Sequence, residues 1–141
     1  MSGSTPPRLG KLQLRIMQVL WDRGDVTARQ ITEELSRVTP IAHSTVQTLL
    51  RKMEAKGAVA HDASERTFVF RALYPRSEVN HSVAQDILDR VFGGSVYGLV
   101  SHLFRSEEIS AEEMRRLRQL IDESEQKLAG DQTPPARVET E

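Results

Sequence analysis

Apolar residues recur at helical spacing through the first third of the chain. One helix face is predicted from residues at intervals of three, four, three and one: Leu9, Leu12, Ile16, Val19 and Leu20. A second helix is predicted after Thr27, because Thr27 and Gln30 match the spacing of a capping box. Pro40 prevents that helix from continuing.

The third predicted helix, from His43 to Lys56, has an apolar side and a polar side. The apolar side falls within roughly 100° of arc and consists of Val46, Leu49, Leu50 and Met53. The opposite side carries hydroxyls, an amide and cations, at Ser44, Thr45, Gln47, Thr48, Arg51 and Lys52. Gly57 is expected to end the helix. This pattern predicts a helix that packs on the protein with one side and presents the other.

Beyond Gly57 the pattern changes to the alternation that is typical of strands. Phe68 and Phe70 share one face of the segment 67–73, and the polar segment 62–66 resembles a hairpin tip. Three helices followed by a hairpin is the element order of a winged helix-turn-helix. We therefore predict a mostly α fold, in which a winged helix-turn-helix DNA-binding domain precedes a three-helix dimerisation region.

Three further helices are predicted beyond Pro75, over about 77–92, 96–105 and 110–128, and each has an apolar stripe. Together they are too short to bury a sufficient core alone. Either two copies share one core as a homodimer, or the stripes pack on the chain's own first half. The residues expected at a dimer interface are Val79, Val83, Ile87, Val91, Leu99, Leu103, Met114, Leu117 and Ile121.

The pattern divides the chain into four predicted parts. Residues 1–8 form a flexible arm and residues 129–141 a disordered tail, since neither shows hydrophobic periodicity. Residues 9–75 form the winged helix-turn-helix DNA-binding domain, and residues 76–128 the helical dimerisation domain.

Composition narrows the functional classes. The 141 residues include no cysteine, which excludes disulfides and thiol catalysis and fits a cytoplasmic location. No stretch approaches the roughly 20 apolar residues of a membrane span, so no membrane insertion is expected. The histidines show no metal-ligand spacing and no catalytic motif is present. We predict no metal, no cofactor and no enzymatic activity.

The charge is unevenly distributed. Residues 1–75 contain 11 Lys and Arg against 7 Asp and Glu, whereas residues 76–141 contain 8 against 13. A basic first half favours contact with an anion. In the DNA major groove, Gln can pair with adenine and Arg with guanine. The predicted DNA-contacting residues lie on the third helix and the hairpin tip: His43, Ser44, Thr45, Gln47, Thr48, Arg51, Lys52 and Arg66.

A solvated helix face would have the same composition as this polar side. A winged helix that docks on another protein, without specific DNA binding, is therefore the alternative. The acidic second half of the chain would suit that alternative.

Several segments resemble the BlaI/MecI family of penicillinase and methicillin-resistance repressors. They are LGKLQLRIMQVLW, VTARQITEEL, AHSTVQTLLRKMEAKGAV and RTFVFRALYPR, and the resemblance extends over about residues 9–128. It implies a homodimer that binds a palindromic operator through the winged helix and represses antibiotic-resistance or stress-response genes. It also implies a membrane sensor-protease as a partner, whose signal leads to cleavage in the dimerisation region. The bond at the matching position is His102-Leu103, where the best-known members have Asn-Phe.

Overall fold

The computed structural model describes residues 5–64 and 66–131. Predictions that fall on residues 1–4, 65 and 132–141 lie outside the described residues. The elements in chain order are α1 (Lys11–Arg23), β1 (Val26–Thr27), α2 (Ala28–Ser36), α3 (His43–Lys56), β2 (Val59–Ser64), β3 (Thr67–Ala72), α4 (Arg76–Phe92), α5 (Val96–Ser106) and α6 (Ala111–Asp131). The predicted mostly α fold with a winged helix-turn-helix is confirmed.

Local capping contacts explain where several helices begin and end. Thr27 caps α2 as predicted: its Oγ1 accepts from the Gln30 amide at 3.1 Å, and Gln30 Oε1 accepts from the Thr27 amide at 2.8 Å. The Ser95 hydroxyl accepts from the Gly98 amide at 2.9 Å and starts α5. Gly57 ends α3 in the left-handed region, with φ +85°.

The sheet of the described residues is antiparallel, in the order β1-β3-β2. The β2–β3 hairpin was predicted, but β1 was not, because two residues are too few to show alternation. In β1, Val26 pairs with Phe70 and Thr27 pairs with Val69. The hairpin, which is the wing of this fold, is thereby joined to the segment that starts α2.

The hydrophobic core lies where the first three helices meet the sheet. The predicted inner faces of these helices are confirmed, since the buried side chains include Ile16, Val19, Leu20, Ile31, Leu35, Val46, Leu50 and Met53. Phe70 is buried with them. Phe68 was placed on the same strand face, yet it is 53% exposed because it lies nearer the hairpin tip, beyond the core.

Contacts divide the chain into two compact units whose boundary lies between Gly94 and Ser95. The first unit contains α4, which was predicted to belong to the second half beyond residue 75. Val79 explains the difference, because its side chain is only 2% exposed and lies in the core of the first unit. The separate DNA-binding and dimerisation roles of 9–75 and 76–128 stay a prediction.

Contacts around Trp21 hold the start of α4 against α1. The indole Nε1 of Trp21 donates to the Tyr74 carbonyl at 2.9 Å. The Arg76 guanidinium lies 5.3 Å from the centroid of the Trp21 ring and forms an ion pair with Asp22. The first residue of α4 is therefore tied to the last turn of α1.

Arg8, which lies in the predicted flexible arm, is bound to α4. Its guanidinium contacts Asp86 at 3.0 Å, and its carbonyl accepts from Lys56 Nζ at 2.8 Å. Partial burial raises the pKa of Asp86, but hydrogen bonds from Arg8 and Arg90 and their positive charges outweigh it. The pKa of Asp86 therefore lies below its ordinary value.

The second unit consists of α5 and α6, and its apolar side chains lack a buried core. None of its described side chains is fully buried. Leu99, Met114 and Leu117 are half-buried. Its exposed large apolar side chains are Val96, Tyr97, Val100, Leu103, Phe104, Leu120, Ile121 and Leu128. A single copy of the chain thus leaves both helices with an uncovered apolar side.

Replacing Ile31 by Ala is expected to lower the free energy of unfolding by about 2–5 kcal/mol, because Ile31 is fully buried in the core and the change leaves a cavity. Chemical denaturation of both proteins at one fixed concentration measures this. Val38→Ala on the 77% exposed Val38 is the matched control and should change stability by less than about 0.5 kcal/mol. Equal effects of the two substitutions would contradict the core assignment.

Candidate nucleic-acid interface

Helix α3 separates its buried residues from its exposed residues by face. Val46, Leu50 and Met53 are buried in the core, and Leu49 is half-buried. The side chains on the other face are exposed: Ser44, Thr45, Gln47, Thr48, Arg51 and Lys52. The helix has 14 residues and is therefore about 21 Å long. A helix of this size, with this exposed face, fits the major groove of a duplex.

His43, at the start of α3, is half-buried and held by α2. Its Nδ1 lies 2.9 Å from the hydroxyl of Thr32. That hydroxyl donates its only proton to the Ala28 carbonyl at 2.9 Å. His43 Nδ1 is therefore the donor to Thr32, and in a ring that carries a single proton this leaves Nε2 as an acceptor. An acceptor at this position can receive a hydrogen bond from the amino group of adenine or cytosine.

Arg51 lies along the exposed face of α3, one turn after Thr48. Its Nη2 donates to the Thr48 hydroxyl at 3.3 Å. Within the described residues, neither Arg51 nor the neighbouring Lys52 forms an ion pair with a carboxylate. Their positive charges are thus available to an anionic partner.

The wing forms the second wall of this surface. A groove of about 840 Å³ lies between α3 and the wing, and arginines line it: Arg29, Arg51 and Arg66. Arg66 is exposed at the hairpin tip, which agrees with its predicted location. Arg29 was not among the predicted DNA-contacting residues, because it lies on α2 and only the tertiary packing brings it beside α3. The basic charge of the first half was the only sequence signal for it.

The residues predicted for a dimer interface occupy different environments. Val79 lies in the chain's own core and Val83 packs partly against it, so Val79 is not accessible to a partner. Ile87 and Val91 are 40% and 63% exposed on α4. In the second unit, Leu103 and Ile121 are exposed, whereas Leu99, Met114 and Leu117 are half-buried.

The predicted cleavage position, His102-Leu103, lies inside α5. The carbonyl of His102 accepts a hydrogen bond from the Ser106 hydroxyl at 3.0 Å. Both residues are exposed, but the bond between them belongs to a continuous helix.

Within residues 5–64 and 66–131, no three His, Asp or Glu side chains come together in a way that could hold a metal ion. None of the helices described there combines the length and the apolar character needed to cross a bilayer.

Comparison with known proteins assigns the family. The family model for the penicillinase repressor matches residues 9–123. The penicillinase repressor of Bacillus licheniformis is 26% identical over 117 residues, which cover 83% of this chain and 91% of the relative. The transcriptional regulator BlaI of Mycobacterium tuberculosis is 31% identical over 136 residues, which cover 95% of this chain and 96% of the relative.

Among solved structures, the monomeric form of Bacillus licheniformis BlaI in complex with the blaP half-operator matches with a TM-score of 0.46 and 27% identity. The match covers 52% of this chain and 89% of that chain. The family model and the relatives confirm the resemblance predicted from the sequence motifs. The chain belongs to the penicillinase repressor family, which is a family of transcriptional repressors and not of enzymes.

Proposed function

We propose that this chain is a dimeric DNA-binding transcriptional repressor that binds a palindromic operator. The observation that carries the proposal is the exposed polar face of α3 beside an arginine-lined groove, in a member of a repressor family. The operator lies on cytoplasmic DNA. The relatives named above are themselves repressors or transcriptional regulators, which supports the same role here.

The first part of the proposal concerns base recognition by α3. Gln47 pairs with adenine, and Arg51 pairs with the O6 and N7 acceptors of guanine. His43 accepts from a base amino group through Nε2. The hydroxyls of Ser44, Thr45 and Thr48 contact base edges or phosphates near the start of the helix, where their short side chains allow close approach.

Phosphate contacts hold the helix in the groove. Lys52 lies next to Arg51 on the exposed face, and Arg66 extends the contact to the wing. Arg29 joins them from α2, on the wall of the same groove. Neutralising phosphates with such cations releases counterions, which supplies much of the affinity.

A second copy of the chain covers the apolar sides of the C-terminal helices in this proposal. The interface consists of Val83, Ile87, Val91, Leu99, Leu103, Met114, Leu117 and Ile121, without Val79, which the chain's own core already buries. A homodimer normally has twofold symmetry, so its two α3 helices contact two half-sites of a palindrome, about one helical turn or a small multiple apart.

Repression ends in this proposal when the dimerisation region is cut or unfolded. The bond His102-Leu103 lies within α5, so a membrane sensor-protease or another protease reaches it only after local unfolding of that helix. Each released monomer contacts a single half-site. Affinity then falls, because the second contact no longer benefits from the first.

The specific role of Arg51 can be separated from that of Lys52. The probe is the tightest-binding duplex that the full chain selects from a randomised DNA pool. Arg51→Ala should cost about 1–3 kcal/mol of binding free energy on that duplex and relax the base preference at one position. Lys52→Ala should weaken binding to selected and unselected duplexes alike, since a phosphate contact carries no base information.

Arg116→Gln is the matched control for both variants, because Arg116 is an exposed cation on α6, outside the groove. It should leave affinity unchanged. If Arg51→Ala and Lys52→Ala both bind as tightly as the parent chain, the exposed face of α3 is not the DNA-contacting surface.

A salt titration distinguishes the repressor from a winged helix that docks on protein. The logarithm of the affinity constant for duplex DNA should fall linearly with the logarithm of salt concentration, with a slope of about −0.9 for each phosphate contacted. Fluorescence anisotropy with the selected duplex and a scrambled duplex measures the slope and the preference. A flat salt dependence together with equal binding of both duplexes would favour the docking module.

Ile121→Glu is expected to break the dimer, because it places a charge on the apolar side of α6, where Ile121 is 57% exposed in the single chain. Analytical ultracentrifugation should show the parent chain at twice the 15.9 kDa chain mass and the variant at the single mass. Gln126→Glu adds the same charge at an exposed polar position of α6 and should remain dimeric. A parent chain that sediments as a monomer at micromolar concentration contradicts the dimer.

A further inference from the structure

The ring of His61 joins helix α3 to both strands of the wing. His61 lies on β2, and its Nδ1 is 2.7 Å and 2.8 Å from the two carboxylate oxygens of Glu54 on α3. The same ring stacks on Phe68 of β3, with centroids 4.3 Å apart and planes inclined by 30°. The DNA contacts proposed above use none of these side chains. We call Glu54, His61 and Phe68 the wing clamp.

The wing clamp lies beside two of the proposed DNA contacts. Glu54 follows Arg51 by three residues on α3, and Phe68 follows Arg66 by two residues on the hairpin. Arg51 on α3 and Arg66 at the hairpin tip both line the groove. The separation of α3 from the wing therefore decides whether these two arginines can contact the same duplex.

The outer part of the wing extends beyond the hydrophobic core. Every described side chain from residue 62 to residue 68 is exposed, whereas Val59 and Phe70 at the base are buried. A two-stranded hairpin without apolar packing is at best marginally stable by itself. The contacts of His61 with Glu54 and Phe68 lie between the buried base and the exposed tip. There they restrict the movement of the tip relative to α3.

The pairing of His61 with Glu54 also affects Arg51. Arg51 and Glu54 are three residues apart on α3, a spacing at which opposite charges attract. A Glu54 carboxylate without His61 would compete with a phosphate for the guanidinium of Arg51. Pairing Glu54 with His61 holds the carboxylate on the wing side.

We propose that the wing clamp sets the distance between α3 and the wing at which Arg51 and Arg66 bind one duplex together. The three residues are positioning residues, which act through Arg66 and do not themselves contact DNA. This inference rests on the proposed function, because it explains how the wing is held for DNA binding.

The affinity test uses the duplex that the full chain selects from a randomised pool. Arg66→Ala and His61→Ala should each weaken binding about tenfold, the size expected for one charge-assisted hydrogen bond. The double variant should be no weaker than the weaker single variant, since His61 acts through Arg66. If the losses of the two single variants multiply in the double variant, His61 acts by another route and the clamp is wrong.

Glu54→Gln and Asp62→Asn complete the comparison. Glu54→Gln keeps an acceptor for His61 but removes the carboxylate that could capture Arg51, so its loss should be smaller than that of His61→Ala. Asp62→Asn breaks the 2.6 Å ion pair between Asp62 and Arg71, which lies within the hairpin and does not reach α3. Affinity should not fall in Asp62→Asn, because the substitution removes a negative charge and leaves α3 untouched. A loss equal to that of His61→Ala would mean that any damage to the hairpin suffices, and would overturn the clamp.

A second measurement needs no DNA. The chain has no cysteine, so Ala55→Cys on α3 and Thr67→Cys on the wing accept spin labels at these two sites alone. Double electron–electron resonance should give a narrow distance distribution between the labels, which broadens when His61→Ala is added. An unchanged distribution overturns the clamp even if binding falls.

The two readouts separate failure of the clamp from failure of the proposed function. A chain that binds the selected duplex, but shows an unchanged label distribution in His61→Ala, retains its DNA-binding function without the clamp. A chain that selects no duplex at all fails as a DNA-binding protein, and the clamp's role in DNA binding fails with it.

Discussion

The exposed polar face of α3 depends on one packing constraint, the burial of the apolar side of that helix. Val46, Leu50 and Met53 are at most 1% exposed. Because a helix repeats every 3.6 residues, their burial leaves Gln47 and Arg51 on the outside. Rotating α3 by one residue position would bring polar groups into the core, where an unpaired polar group costs several kcal/mol. Core packing therefore determines which side chains a partner meets.

Contacts made by the carboxylates of the first unit add electrostatic selectivity to this surface. Glu54 is bound by His61, and Glu34 is bound by Arg23. Asp22 is bound by Arg76. Because these carboxylates are occupied by partners within the fold, they oppose the cations of α3 and the groove less than free acids would. A chain of nearly neutral net charge can in this way present a locally positive face.

The second unit has the opposite property, apolar side chains without a core. Burying a large apolar side chain stabilises a protein by about 1.5–3 kcal/mol, and exposed ones forgo that gain. Leu103, Phe104, Leu120 and Ile121 are all more than 40% exposed in the single chain. Contiguous exposure of this kind is typical of a surface that another protein covers.

The sequence by itself determined the elements whose signals are local. Periodicity and capping residues predicted the helices, as the Thr27–Gln30 contacts and the cap at Ser95 illustrate. The alternation around Phe70 predicted the wing, and the motifs predicted the family. Only the tertiary structure decided which element each residue meets: Val79 lies in its own chain's core, Arg29 beside α3, and His61 against Glu54. The physical reason is that such contacts depend on how separate elements pack, which spacing along one element does not encode.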